Sequence, residues 1–273
     1  ALAGLGIVGA GVAKRLLQRS DAFEIAAVLV RDLDRARDVN IDRRLLTLEG
    51  PDLFGCDADV IVDVLSCANT GAILTRAALA ADIDVVSANK QALVQLFSDT
   101  SPLATNGGKS RLAYSAAVGG GAPLLETVIN AKAAGAEIEQ ISGVLNGTIN
   151  YLLELLAAGV SFEEALIRAQ RAGLAEADPS ADLLGHDAAA KLKLISFAAF
   201  GEAPDDGHIV TEPLDMRTAE RAGATRLKQI ATLARQGRHL TGVIAYEPAE
   251  SGPFANLLGD RNAIHIATKT GRI

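Results

Sequence analysis

Cysteine is scarce in this chain: of 273 residues only Cys56 and Cys67 carry a thiol. Two thiols cannot form a disulfide framework, and neither has a histidine or a second cysteine at metal-ligand spacing, a pattern that fits a reducing compartment. Histidine is thin as well. His186, His208, His239 and His265 are scattered without the spacing of a metal site. Long apolar runs are missing: the longest uncharged stretches, 112–125 and 140–153, contain glycine or polar residues and fall short of the ~18 apolar residues a membrane helix requires. Positive charge is in deficit, with 26 Lys+Arg against 33 Asp+Glu, a net charge of -7 and no basic block. Nucleic acid is thereby excluded as an expected partner, because binding it needs a positive footprint that displaces counterions. No basic segment followed by an apolar one opens the chain, and there is no internal repeat or low-complexity tract. The expectation is a soluble, cytoplasmic protein with no membrane partner.

The composition that is present supports a sizeable core. Hydrophobic residues make up 49% and charged residues 22%, and the length predicts one large or two intertwined domains. The stretch 4–9 reads as a turn running into a helix. Short β-branched runs at 24–30, 59–65 and 84–87 alternate with helical patterns at 71–81 and 90–97, and a further run at 111–116 follows. Alternation of this kind predicts a parallel, doubly wound sheet. At the glycine-rich 115–123 the character changes, and helices are expected at 124–134, 149–158, 161–173 and 187–200, the third opened by the capping box Ser161-Phe162-Glu163-Glu164. Between the last two lies an expected polar loop, 175–186; strands are read again from 241 onward. The expected class is therefore α/β: a Rossmann-type doubly wound parallel sheet over 1–115, then an α+β part with a catalytic region at 116–240 and dimerisation strands at 241–273.

Gly4-x-Gly6-x-x-Gly9 has the spacing of a dinucleotide-binding turn, one glycine for the turn, one for close approach of the pyrophosphate and one for helix packing. Without a ligand the same glycines make only a tight turn. At the end of the second strand, where an acid often binds the ribose, the chain reads Val30-Arg31-Asp32. An arginine there can pair with a 2′-phosphate, which favours NADP, while Asp32 leaves NAD open and Arg31 can equally be a solvated loop charge. Lys90 follows Ser87-Ala88-Asn89 at the carboxyl end of a buried strand, where ligands of open α/β folds bind; in isolation it reads as a helix-start lysine in solvent. The densest constellation is Glu176, Asp178, Asp182, Asp187 and Lys191. Asp187 and Lys191 share a helix face four residues apart, on a helix that is apolar elsewhere, so the lysine is desolvated unless carboxylates surround it. Such a lysine suits acid/base work on a hydroxyl or carbonyl.

These residues, together with Tyr114 to Pro123, Gly143 to Tyr151 and above all Gly173 to Lys191, resemble the homoserine dehydrogenases over nearly the whole chain. The resemblance implies interconversion of L-homoserine and L-aspartate 4-semialdehyde with NADP or NAD in threonine, methionine and isoleucine biosynthesis. It gives Glu176 and Asp182 the substrate ammonium, Gly147 and Thr148 further substrate contacts, and Lys191 the proton transfer, with Asp187 beside it and Lys90 orienting the substrate. The cofactor would be held by Gly4, Gly6, Ile7, Val8 and Gly9, with Arg31, Ser66, Ala88, Asn89 and Lys90 contributing. Backbone carbonyls at Val118, Gly120 and Ala122 match where the family holds Na+ or K+, and a homodimer through the late strands is implied. Three departures stand out. Ser115 replaces a common glutamate, Leu174 replaces a usual tyrosine, and both ends look trimmed, with the segment that returns to the nucleotide domain missing and no regulatory extension expected. They leave room for a rival reading, a catalytically silent dinucleotide-binding protein of the same fold.

Overall fold

The structure, a computed structural model, describes residues 1–99, 111–250, 252–259 and 261–272. It divides into two compact units, Ala1–Ala117 and Val118–Ile273. In the first, chain order is β1 (Leu2–Ala3), α1 (Ile7–Leu17), β2 (Val28–Leu29), β3 (Leu46–Thr47), α2 (Asp52–Gly55), β4 (Val60–Asp63), α3 (Ala68–Ala80), β5 (Asp84–Ser87), α4 (Lys90–Asp99) and β6 (Leu112–Ala113). The strands form one sheet in the order β3-β2-β1-β4-β5-β6, with every pairing parallel. The order reverses between β1 and β4, which makes the carboxyl ends of those two strands the natural ligand crevice of a doubly wound sheet. Leu53, Ile61, Leu74 and Val85 pack one core cluster and Leu2, Val28 and Val30 another, the burial on both faces that β-branched runs of this kind demand. The strands are shorter than the sequence runs suggest: the expected 111–116 shrinks to two residues before a 3-10 turn at Ser115–Ala117.

The second unit continues with α5 (Leu124–Ala133), β7 (Ile138–Val144), α6 (Gly147–Ala157), α7 (Phe162–Arg171), α8 (Ser180–Leu183), α9 (His186–Phe200), β8 (Ile209–Thr211), α10 (Met216–Ala224), β9 (Leu227–Gln236), β10 (His239–Pro248), β11 (Ala263–Thr268) and β12 (Gly271–Arg272). Its sheet runs β12-β11-β7-β9-β10-β8, antiparallel except where β8 joins β10. The strands expected from 241 onward therefore share a sheet with β7 and β9, from within the stretch expected to be mainly helical; residues 251, 260 and 273 of that late range lie outside the described residues, as do 100–110 of the first. Glycines with positive φ end the helices: Gly135 (φ 83), Gly159 (φ 80) and Gly173 (φ 72). Ser161 caps α7 by accepting the Glu164 N–H. The loop expected at 175–186 contains the single turn of α8. Helix α9 is buried along Ala188, Leu192, Leu194 and Ile195, as its apolar circumference requires.

Candidate active site

In the first unit, the glycine turn meets the geometry its spacing implies. Gly4 has φ +103, and a Cβ on Gly9 would lie 2.2 Å from the Gly4 carbonyl oxygen, so neither position admits a side chain. Gly6 caps α1 without a side-chain hydrogen bond, no acid stands in the first turn, and a Cβ on Gly6 would meet open space. The first-turn N–H groups of Ile7, Val8 and Gly9 thus have no side-chain cap, while Ile7 is 96% exposed and Val8 57%. An uncapped helix start with room above it is suited to a pyrophosphate, so the residues present fit a dinucleotide.

Arg31 and Ser66 are exposed after β2 and β4. The Asp32 carboxylate accepts the N–H of Asp34 at 2.8 Å, a local turn contact. Thr70 lowers the Cys67 thiol by hydrogen bonding, and the nearby Arg31 guanidinium adds a smaller push the same way. Ala88 donates its N–H to the Asp63 carbonyl, and Lys90, half-buried, opens α4 with its N–H on the Ala88 carbonyl. Asn89 is buried; its Oδ1 accepts the Ala92 N–H at 3.2 Å and its Nδ2 donates to the Cys67 carbonyl at 3.1 Å. Two buried residues that were not among the expected site residues complete this region, Asp63 and Ser87, with the Ser87 hydroxyl donating to Asp63 Oδ2 at 3.1 Å. Burial raises the Asp63 carboxyl above the usual carboxylate range, against hydrogen bonds from Leu65, Ser87 and Asn89 that pull it down.

In the second unit the constellation forms at the end of β7. Lys191, one turn into α9, donates from Nζ to the Leu145 carbonyl at 2.7 Å and pairs with Asp187 Oδ2 at 2.7 Å, both side chains largely buried. Asn146 links the rest. Its Oδ1 accepts the Ile149 N–H and caps α6, while its Nδ2 donates to Asp182 Oδ1 at 2.7 Å and to Asp187 Oδ2 at 3.1 Å. Asn146 was not among the expected site residues, although an asparagine before a helix is a cap signal. Gly147 and Thr148 begin α6, and the Thr148 hydroxyl donates to the Leu174 carbonyl at 2.7 Å. Glu176 is exposed and is linked to its surroundings through its carbonyl, which accepts from Gln170; the structure does not bring its carboxylate into the hydrogen-bonded cluster. Asp178 caps the turn to Ser180 instead. Val118 is fully buried, Gly119 and Gly120 have positive φ, and the Ala122 carbonyl accepts the Leu124 N–H at 2.8 Å. No cluster of three or more His, Cys, Asp or Glu side chains able to hold a metal occurs among the described residues.

Comparison with known proteins decides the family. The homoserine dehydrogenase family model matches residues 123–272 and the model for the homoserine dehydrogenase NAD-binding domain matches 4–111. The chain belongs to the homoserine dehydrogenase family. It is 34% identical over 236 residues to the homoserine dehydrogenase of Synechocystis, covering 81% of this chain and 54% of that protein. Identity to the Sulfurisphaera tokodaii homoserine dehydrogenase is 30%, over 98% of this chain and 88% of the relative. The crystal structure of a homoserine dehydrogenase from Thiobacillus denitrificans aligns with a TM-score of 0.79 at 29% identity, covering all of this chain and 66% of that one. Against several homoserine dehydrogenases the chain thus spans little more than half to two thirds of their length. Membership confirms the family read from the sequence, the Rossmann-type fold and an NAD-binding domain. No helix among the described residues is long and apolar enough to cross a membrane.

Proposed function

We propose that the protein is an oxidoreductase that interconverts L-homoserine and L-aspartate 4-semialdehyde with NADP or NAD, within threonine, methionine and isoleucine biosynthesis. The observation that carries the reading is the Lys191–Asp187–Asn146–Asp182 cluster, which lies inside the segment matched by the homoserine dehydrogenase model.

An ammonium has three N–H bonds. Lys191 uses two on Leu145 and Asp187, leaving one to meet a substrate oxygen. In the oxidative direction the neutral amine takes the hydroxyl proton; in reduction the ammonium returns it to the forming alkoxide. Asp187 holds the charged form in place, and Asn146, by bridging Asp187 to Asp182, keeps two carboxylates at fixed separation. Asp182 and the exposed Glu176 suit the substrate ammonium, Gly147 and Thr148 the rest of the amino acid, and Lys90 the orientation of the substrate. When bound, the nicotinamide accepts or supplies the hydride. Gly4, Gly6, Ile7, Val8 and Gly9 would hold its pyrophosphate, with Ser66, Ala88, Asn89 and Lys90 nearby in the same unit. The engagement of Asp32 in its own turn leaves Arg31 to meet a ribose 2′-phosphate, which favours NADP. The carbonyls of Val118, Gly120 and Ala122 would hold Na+ or K+, a homodimer would use strands within 241–273, and the protein would act in the cytoplasm.

The test follows nicotinamide absorbance of the full-length protein with homoserine, NADP and NAD in parallel. Homoserine-dependent reduction, faster with NADP, is expected; nucleotide binding without turnover would overturn the reading in favour of a silent dinucleotide-binding protein. Lys191→Met is expected to fold and to lose ~10²-fold or more of kcat. Lys193→Met, whose lysine pairs with the exposed Asp206, should leave turnover unchanged.

A further inference from the structure

The glycine turn and the Lys90 turn are far apart in sequence, yet one buried carboxyl reaches both. Asp63 ends β4, in register with Ala3 of β1 on one side and Ser87 of β5 on the other. Asp63 and Ser87 are both 0% exposed. Asp63 Oδ1 accepts the Leu65 N–H at 3.0 Å and Oδ2 accepts the Ser87 hydroxyl at 3.1 Å.

Each of these bonds leads to a functional turn. On the Leu65 side, a Cβ on Gly4 would lie 2.9 Å from the Val64 carbonyl oxygen and 3.3 Å from the Leu65 nitrogen. The peptide that Asp63 fixes is therefore the surface on which the first nucleotide glycine rests. On the Ser87 side, the serine oxygen accepts the Asn89 N–H at 3.1 Å, and the Asn89 side chain closes the start of α4, whose first residue is Lys90. The Asp63 carbonyl also accepts the Ala88 N–H at 2.9 Å. No lysine, arginine or histidine is ion-paired with Asp63 among the described residues. A buried acid without a counter-charge is costly, and a strand interior alone would favour an apolar residue there. The hydrogen bonds to two loops are what the acid supplies and valine could not.

We infer that Asp63 is a positioning residue that locks the dinucleotide turn and the Lys90 turn into one mechanical unit. This rests on the reading that the first unit binds a nicotinamide dinucleotide. In Asp63→Asn one of the two accepting oxygens becomes an amino donor, so the one oxygen left accepts from Leu65 or from Ser87 in turn, and each of the two branches is unpaired part of the time. The amino group would also face the Asn89 amide, since Asn89 Nδ2 and Asp63 Oδ2 lie 2.3 and 2.9 Å from the same point beside Gly71.

The test uses the full-length protein as wild type, Asp63→Asn and Ser87→Ala, with three readouts: NADPH affinity by calorimetry, kcat, and amide hydrogen exchange. Asp63→Asn is expected to weaken NADPH binding and lower kcat by about tenfold each, the scale of one hydrogen bond to a charged group, with faster exchange at both Leu65 and Asn89 and unchanged protection at Val28. Ser87→Ala cuts only the Lys90 branch, so kcat falls and exchange rises at Asn89 while Leu65 keeps its wild-type protection. Loss of protection at only one of the two amides in Asp63→Asn, or equal loss at Val28, overturns the coupling. A wild type that binds NADPH but does not oxidise homoserine defeats the proposed activity and leaves the affinity and exchange arms to decide; one that binds no nucleotide leaves the exchange arm to decide. Should Asp63→Asn fail to fold, wild-type exchange decides: NADPH must slow Asn89 together with Leu65, and slowing at Leu65 alone overturns the inference.

Discussion

The side-chain amide of Asn146 caps α6 through its oxygen and stands between Asp182 and Asp187 through its nitrogen. Replacing it with alanine removes the cap, worth about 1 kcal/mol, and takes away the shared donor that makes two neighbouring carboxylates tolerable. A fall in Tm of ~2–4 °C is expected, accompanied by a loss of kcat. Asn146→Asp restores the capping oxygen but adds a third carboxylate, so it should recover part of the Tm in a melting experiment without recovering kcat. At this scale the sequence is informative where a period decides: the four-residue spacing of Asp187 and Lys191 places them on one helix face, and they pair. Asn146 stands in the matched stretch 143–151 but was given no role, because that role depends on two helices, α8 and α9, that bring Asp182 and Asp187 to it from 36 and 41 residues away. Asp63 escaped notice because, within an apolar run, its sequence position alone does not reveal which loops its oxygens reach.

Among the elements, two glycines in helices of the first unit have opposite meanings. Gly71 lies in α3 where a Cβ would come 2.3 Å from Asn89 Nδ2, 2.8 Å from Ala92 Cβ and 2.9 Å from Asp63 Oδ2. Gly11 lies in α1 with nothing within 4 Å. Gly71→Ala should destabilise by about 1–3 kcal/mol through overpacking and weaken nucleotide binding. Gly11→Ala should stabilise by up to about 1 kcal/mol through helix propensity. Denaturant melts of the two variants check the sign. Helix ends marked by glycine and the capping box at Ser161 were readable in the sequence because they are local chemistry. The two central strands of the second sheet were not. In β9, Leu227, Ile230, Ala231 and Ala234 fall at helical spacing, and the strand alternation is broken by Gln229, which is buried only because its amide donates to the Tyr246 hydroxyl at 3.0 Å. In β7, Ser142 and Gly143 dilute the apolar pattern; Ser142 is satisfied by Gln140 of its own strand and by Thr232 across the sheet. Tertiary partners thus overrode the local signal in both strands.

For the whole molecule, each unit has its own sheet and its own core clusters. The parallel sheet with its reversed strand order was legible as alternation along the first part of the sequence, whereas the mixed sheet, assembled from strands far apart in the chain, was legible only at its late members. Because the nucleotide turn lies within the first unit, a ligand held there stabilises that unit by mass action, by about 2.7 kcal/mol at a hundred times Kd. Scanning calorimetry of the full-length protein with saturating NADPH should therefore raise the transition of the first unit more than that of the second; an equal rise in both would show that they melt as a single cooperative body.

The pairing pattern of the second sheet also constrains its assembly in time. β9 and β10 are joined by the two-residue turn Gly237-Arg238, with Gly237 at φ 64, and they pair along their whole length from His239↔Gln236 to Pro248↔Leu227. A hairpin with so short a loop closes in microseconds. The contact of β9 with β7, Gln140↔Ala234, must instead gather the intervening helices α6 to α10 before it can form, and such long-range closure is entropically slow. The hairpin is then a template built early and β7 a late arrival. Since Leu145 and Asn146 follow β7 directly, the Lys191 cluster would be completed only in the last stage of folding.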